Sequence, residues 1–251
     1  MIVFGYKPTS GRVRKNLCQR FTLACKKETG RFKLEKSTMA DKEIPLESGK
    51  VYHIYNRGID GTNLFRNHDN YLLFLKLYAK HCSIVVDTYA YCLLGNHFHF
   101  MVRVKEQLPT FGDIYPQYNL EKHKPKSLET LNPNKQFGHF FNAYAQSFNH
   151  SFAQKRTGGL LEEPFERILV ENEYYFSNLI HYIHFNSEKH GFVRDFKNYP
   201  YSSYHSYLSD KPTALVRDEV LEWFGNKSEF VKFHEQEVDE SSIKKWIIEV
   251  D

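Results

Sequence analysis

The amino-acid sequence predicts an α+β fold: an antiparallel sheet sandwiched by helices, with a helical extension at the C-terminus. Three observations carry that expectation. Between residues 50 and 190, stretches that alternate apolar and polar residues interleave with stretches whose apolar residues recur every three or four positions. Two of the alternating stretches are separated only by Gly95-Asn96, a dipeptide that can reverse a chain, so that pair is antiparallel. The resulting order (strand, helix, strand, strand, helix, strand, helix) buries its apolar faces well as one sheet with helices packed on it.

Composition narrows the class. With 251 residues, 41% of them apolar and 16% aromatic, the chain can bury a sizeable core. Its apolar runs are far too short to cross a bilayer, and no segment has the long apolar centre and small-residue cleavage site of a signal peptide. Cys18, Cys25, Cys82 and Cys92 show no metal-type spacing. Cys18 and Cys25 are close enough in sequence to pair, but reduced thiols in a cytoplasmic protein without membrane attachment are expected. The net charge of +4 hides an asymmetry, because residues 1–38 hold ten Lys or Arg against Glu28 and Glu35 and the remainder is net acidic. Bulk charge therefore does not make the body a nucleic-acid binder; local patches must do so.

Three regions follow. Residues 1–46 are basic and poor in aliphatic runs. They read as a basic arm that grips nucleic acid, as a disordered tail, or as sequence ahead of the true start, since Met39-Ala-Asp-Lys has the form of an ordinary start. A disordered arm is the expectation. Residues 47–208 form the main domain, with an insertion at 105–135, and 209–251 form the helical extension.

Within the main domain, Val51 to Gly58 alternates and ends in a turn, as a strand does. His68 to His81 has helical periodicity with Asp69 near its start. Ile84 to Leu94 and His97 to Val104 form the strand pair. The insertion holds Pro109, Pro116, Pro125 and Pro133 and reads as a long loop or a partly helical segment. Gln136 to Arg156 reads as a helix whose Phe137, Phe140, Phe141, Tyr144, Phe148 and Phe152 make an aromatic core stripe, ended by Gly158-Gly159. Phe165 to Val170 is a further strand. Glu171 to Lys189 is a helix closed by His190-Gly191. A turn at Tyr199-Pro200-Tyr201 leads to a short helix toward Leu208. Ala214 to Phe224 and Ser228 to Glu237 read as a helical pair.

One pattern carries chemistry. On a strand, residues two apart share a face, so His97 and His99 point one way while Phe98 and Phe100 pack the other way. Neutral imidazole is the commonest metal ligand, and two on one strand suit a divalent ion. Taken alone, the pair also reads as two packed histidines. On the helix 171–189, Tyr182 and Asn186 are four apart and sit on one face, with Ile180 and Ile183 in the buried stripe and His181 and His184 on flanking faces. Alone, Tyr182 reads as a core tyrosine and Asn186 as a helix-end residue. His53 reads either as a partner of the site or as a plain strand residue.

Together these residues carry a resemblance. His97-Phe98-His99 after Gly95-Asn96 resembles the HUH motif (histidine, hydrophobic residue, histidine) of single-strand DNA transposases. The chain is similar in several places to the REP-associated tyrosine transposases, relatives of the insertion-sequence TnpA enzymes. The first strand, Tyr52 to Gly58, resembles theirs, as do Ala90 to His97, the helix segment Tyr182 to Asn186 with its Lys189-His190-Gly191 end, and Asn198 to Tyr204 beyond it. The similarity runs from about residue 50 to 208, in the family's order. It departs at Ser187, where many members have proline, in the length of the insertion 105–135, and in the basic start.

The resemblance implies an HUH endonuclease domain of ferredoxin/RRM-like architecture. His97, His99 and Asn186 are then ligands of one Mg²⁺ or Mn²⁺, and Tyr182 is the nucleophile that forms a 5′-phosphotyrosine during single-stranded DNA cleavage and strand transfer. A neighbouring metal, or His181 or His184, would help the phenol ionise. The loop Asn56-Arg57-Gly58 would hold a phosphate. Tyr52, Tyr55 and Tyr115, with Lys122, Lys124 and Lys126, are candidates for stacking and backbone contacts, although each reads more simply as core or solvated surface. The partner is single-stranded DNA containing a hairpin, and the protein a monomer or homodimer, since some relatives swap the tyrosine helix between subunits. Two other readings stay open: a domesticated or inactive nucleic-acid-binding module on the same fold, and a metal-dependent nuclease in which water attacks.

Overall fold

The structure, a computed structural model, describes residues 44–115, 128–151, 157–171 and 173–237, with side chains from 175 onward in the last segment. Residues 1–43 of the basic arm, the lysines at 122, 124 and 126, Phe152 and residues 238–251 of the C-terminal extension lie outside the described residues.

Among the described residues the order is β1 (Val51–Arg57), α1 (His68–His81), β2 (Val86–Leu93), β3 (His97–Val104), a one-turn α2 (Phe111–Ile114), α3 (Pro133–His150), β4 (Glu166–Leu169), α4 (Glu173–Lys189), α5 (Tyr204–Leu208), α6 (Arg217–Trp223) and α7 (Lys227–His234). The four strands pair antiparallel in the order β2-β3-β1-β4. Two β-α-β units thus interleave, each leaving a gap that a strand of the other fills, which is the split arrangement of ferredoxin-like sheets. The expected α+β architecture is the one observed.

Each face of the sheet has its own core. On one face, Tyr52, Ile54, Phe98, Phe100, Val102 and Val104 pack against Phe74 and Tyr78 of α1 and the α3 stripe of Phe137, Phe140, Phe141, Tyr144 and Phe148. On the other, Val51, Cys92 and Met101 lie under Leu179, Ile180 and Ile183 of α4, with Tyr204, Tyr207, Val220 and Phe230 of the later helices joining them. The α4 helix therefore lies on the same side of β3 as His97 and His99. No helix among the described residues is long and apolar enough to cross a membrane.

Two details differ from expectation, the start of α3 and a bulge in β2. The α3 helix starts at Pro133 rather than Gln136, because Asn132 caps it by accepting from Lys135 N at 3.2 Å and proline suits the first turn, where its missing N–H costs nothing. The insertion is partly helical, one of its two expected forms: α2 is held by a capping box between Thr110 and Asp113, and Thr110 bridges to Thr130. In β2 the pairing jumps from Thr88↔Val102 to Ala90↔Met101, a bulge that inserts Tyr89. The extra residue changes the phase of alternation, so Tyr89, Ala90 and Cys92 all join the α4-side core.

The outer edge of β2 is closed by later chain. Leu93 N donates to Tyr201 O at 3.0 Å, Ser203 N to Tyr91 O at 2.9 Å and Val216 N to Thr88 O at 3.2 Å. The Asn198–Tyr204 stretch thus works as a clamp: Tyr199 Oη donates to Leu93 O at 2.7 Å, and the Tyr201 ring stacks on Tyr71 at 3.5 Å. Arg103 ties α6 to the sheet through Glu219 at 2.8 Å and Asp87 at 3.0 Å.

Candidate active site

The site's floor comes from two adjacent strands. Residues 53, 55 and 57 of β1 and 97 and 99 of β3 face α4, because their odd-numbered neighbours Val51 and Met101 belong to that core. The His97 and His99 rings lie 5.3 Å apart and nearly perpendicular. From above, α4 brings Tyr182 to 6.0 Å from the His99 ring, centroid to centroid, within the same chain. Both Tyr182 and His99 are buried.

Hydrogen bonds set the state of each group. His97 Nδ1 lies 2.8 Å from Asn96 Oδ1, an acceptor, so Nδ1 carries the proton and Nε2 keeps its lone pair. His99 Nδ1 lies 3.0 Å from His53 Nε2. Burial, with the charge of His190 and Arg57 added, pushes His97 down to about 4. Burial and the neighbouring His53 and His97 push His99 well below the usual histidine range. Both imidazoles are neutral near pH 7, the form that ligates metal.

Asn186 supplies an oxygen. Its Nδ2 donates to Tyr182 O at 2.7 Å, one helical turn back. A carbonyl accepts only from the NH₂ end, which fixes the amide orientation and leaves Oδ1 as the other atom. That oxygen is fully buried with no hydrogen-bond partner among the described residues. An orphaned buried acceptor costs about 1–3 kcal/mol, and a cation is one way to satisfy it. Among the described residues no group of three or more His, Cys, Asp or Glu is placed to hold a metal. An ion here would combine two imidazole nitrogens with an amide oxygen, a donor set that the residues present can provide.

Two side chains at the rim were read from the sequence only as a helix end. The Lys189 ammonium lies 5.3 Å over the Tyr182 ring, and the His190 ring is 4.8 Å from that of His97. Lys189 is seven residues, two turns, past Tyr182, so its shared face was legible from spacing. His190 lies beyond the helix, and no periodicity places it.

The loop Asn56-Arg57-Gly58 is divided in its roles. Asn56 is buried and engaged within the chain, donating to Glu162 O at 2.9 Å and accepting from Arg57 N at 2.8 Å. Gly58 N donates to Asn96 O at 2.8 Å, and a Cβ there would meet Thr62 O at 1.9 Å, so only glycine fits. Arg57 is half-exposed, with Nε bonded to Glu162 Oε1 at 2.7 Å, and is opposite His97 in the register. Of the aromatic candidates, Tyr52 is core, Tyr55 is buried with its ring 5.9 Å from that of His99, and Tyr115 is partly exposed at the end of α2.

His181 and His184 need correcting as candidate bases for Tyr182. They point into the core formed with the C-terminal helices. His234 Nδ1 donates to Phe230 O at 2.8 Å, so its Nε2 accepts, at 2.9 Å, from His184 Nδ1. His184 Nε2 then accepts from Ser203 Oγ at 2.7 Å. Both His184 nitrogens are occupied, and burial holds His234 down to about 3 and His181 to about 4. Spacing accounts for this: positions one before and two after Tyr182 on a helix are rotated roughly 100° and 200° from it. Ser203 also accepts from Tyr91 N at 2.9 Å. Ser203→Ala should therefore cost about 1–3 kcal/mol by leaving buried polar groups unsatisfied. Urea denaturation checks this, and a loss below about 0.5 kcal/mol would show that the chain is not a structural link.

Compared with known proteins, the chain matches no family model. A Haemophilus influenzae protein named "Putative REP-associated tyrosine transposase" is 25% identical to it over 135 residues, which is 53% of this chain and 67% of that one. A solved structure described as "Structure of the REP associates tyrosine transposase bound to a REP hairpin" aligns with a TM-score of 0.47 at 13% identity, over 66% of this chain and 85% of that one. The resemblance carried by the motifs is thus met again in a curated relative.

Proposed function

We propose that this chain is a REP-associated tyrosine transposase of the HUH type, which cleaves single-stranded DNA and transfers the strand through a 5′-phosphotyrosine. One observation carries the reading: α4 brings the Tyr182 ring to 6.0 Å from that of His99 in one chain, and one turn further on the Asn186 oxygen is buried and unsatisfied. The H. influenzae relative supports it by name.

Tyr182 Oη attacks the scissile phosphorus. The new bond joins tyrosine oxygen to phosphorus, and the bond to the 3′ oxygen breaks. The phenol's proton is lost to solvent, and the departing 3′ oxygen takes up a proton to become a hydroxyl. The phosphotyrosine keeps the phosphodiester's bond energy, so a second 3′ hydroxyl can reverse the step at a new site without ATP. His97, His99 and Asn186 would hold a divalent cation, Mn²⁺ or Mg²⁺, which when bound polarises a non-bridging phosphate oxygen. Lys189 places a positive charge where the attacking oxygen and the phosphate gather negative charge. Arg57, at the rim beside His97, offers a guanidinium to the backbone phosphate. The substrate is a single strand containing a hairpin, and the tyrosine acts in cis, so a monomer suffices for one cleavage.

The test is incubation with a single-stranded hairpin DNA library and Mn²⁺, followed by denaturing electrophoresis. A denaturation-resistant protein–DNA complex is expected. Cleavage without such a complex would turn the reading to a water-using nuclease. Binding without cleavage would turn it to an inactive binding module.

A further inference from the structure

His53 is a buried polar side chain of β1 whose partner is one of the two histidines of the site. It is 1% exposed and His99 is 6% exposed, and a single hydrogen bond of 3.0 Å joins His53 Nε2 to His99 Nδ1. The β1–β3 register brings them together diagonally: His53 is opposite Met101, and Tyr55 is opposite His99. The three rings cluster, with His53–Tyr55 centroids at 5.0 Å, His53–His99 at 5.2 Å and Tyr55–His99 at 5.9 Å, and the two imidazoles meet edge to edge through their hydrogen bond. Neither histidine can turn without breaking that hydrogen bond.

Between two neutral imidazoles only one proton fits. Either His99 Nδ1–H donates to a lone pair on His53 Nε2, or His53 Nε2–H donates to a lone pair on His99 Nδ1. The two arrangements differ in what His99 presents to α4. In the first, His99 Nε2 carries a lone pair; in the second, it carries a hydrogen and cannot ligate a cation. His97 has its Nδ1–H tied to the Asn96 amide, so its Nε2 already carries a lone pair. Matching the two ligands requires the first arrangement at His99.

The geometry assigns His53 as a positioning residue: an acceptor that holds His99 in the Nδ1–H tautomer and fixes its ring, so that Nε2 keeps its lone pair for a cation. This rests on the metal-binding reading of His97, His99 and Asn186 proposed above. His53 touches neither the metal nor the DNA in this role and acts through His99 alone. Loss of such a hydrogen bond behind a metal-ligating histidine weakens affinity by about 10–100-fold.

The test uses the full chain and Mn²⁺ alone, without DNA. Wild type, His53→Phe and His53→Gln are titrated with Mn²⁺ by electron paramagnetic resonance, with circular dichroism to verify the fold. Phenylalanine keeps a ring of similar shape but offers no acceptor, so Mn²⁺ affinity should fall about 10–100-fold. Glutamine places an amide oxygen near the position of Nε2 and should recover most of that loss. Equal affinity in wild type and His53→Phe would overturn the role of His53 while leaving the metal site standing. No Mn²⁺ binding by wild type would remove the metal reading and this inference with it. Nitrogen-15 NMR of the wild-type imidazoles gives an answer that does not depend on any variant folding. His99 should show the Nδ1–H tautomer, and finding the Nε2–H form would overturn the proposal.

Discussion

Tyr182→Phe forms no denaturation-resistant complex with hairpin DNA, yet keeps its fold and its Mn²⁺ affinity. The substitution removes one oxygen and leaves the ring, which is buried against His99 and under the Lys189 ammonium. Packing is therefore nearly unchanged, and the thermal midpoint should move little. His97, His99 and Asn186 remain. Without the nucleophile only positioning and charge stabilisation are left, so adduct yield should fall by roughly 10³-fold or more. Gel electrophoresis of radiolabelled DNA measures it. An adduct that survives in this variant would move the nucleophile to another residue, whereas parallel loss of Mn²⁺ binding would mean the phenol supports the site's shape.

The second large effect lies on the opposite face of the sheet. Phe74→Ala should destabilise the protein by about 3–5 kcal/mol. Phe74 is fully buried where α1, α3 and β3 meet. Its ring is edge-on to Phe65 at 5.0 Å, to Phe140 at 4.6 Å and to Tyr144 at 4.8 Å, and tilted against Phe98 at 5.0 Å. No small shift of one helix can fill the resulting cavity, because three elements border it. A calorimetric midpoint lower by roughly 10 °C is expected. The effect should also reach the site, since Phe98 and Phe100 are the reverse side of the strand that carries His97 and His99. A loss below about 1 kcal/mol would mean that the core collapses around the gap.

Much of this site follows from local periodicity, and that part was legible in the chain. A period of two places His97 and His99 on one side of a strand and Phe98 and Phe100 on the other, and the structure keeps that division. A spacing of four places Asn186 above Tyr182, and their hydrogen bond runs along the same turn. What the residues did not disclose depends on contacts distant in sequence. The pairing of His53 with His99 needs the β1–β3 register, which the whole sheet sets. The bulge at Tyr89 moves its neighbours to the α4 side, although the residues there alternate no differently from those of an unbroken strand. His181 and His184 are polar residues on a helix and looked available for chemistry, until the residues of α7, fifty positions on, fill the space beside them. The α4 helix runs through Ser187 to Lys189, whose ammonium lies over the tyrosine ring.

The clamp on β2 has a consequence for assembly. Strands β3 and β1 are interior, and the free side of β2 is occupied by residues 201–203 and 215–216 of the same chain. A second copy, or any extended peptide, that joined this sheet by main-chain pairing would meet no open donors along the clamped stretch of β2. Among the described residues, growth by strand addition is thereby left to the β4 side, where the strand is only four residues long and a pairing would be correspondingly weak. The fold resists end-to-end polymerisation by the same segment that braces the hairpin of the two histidines.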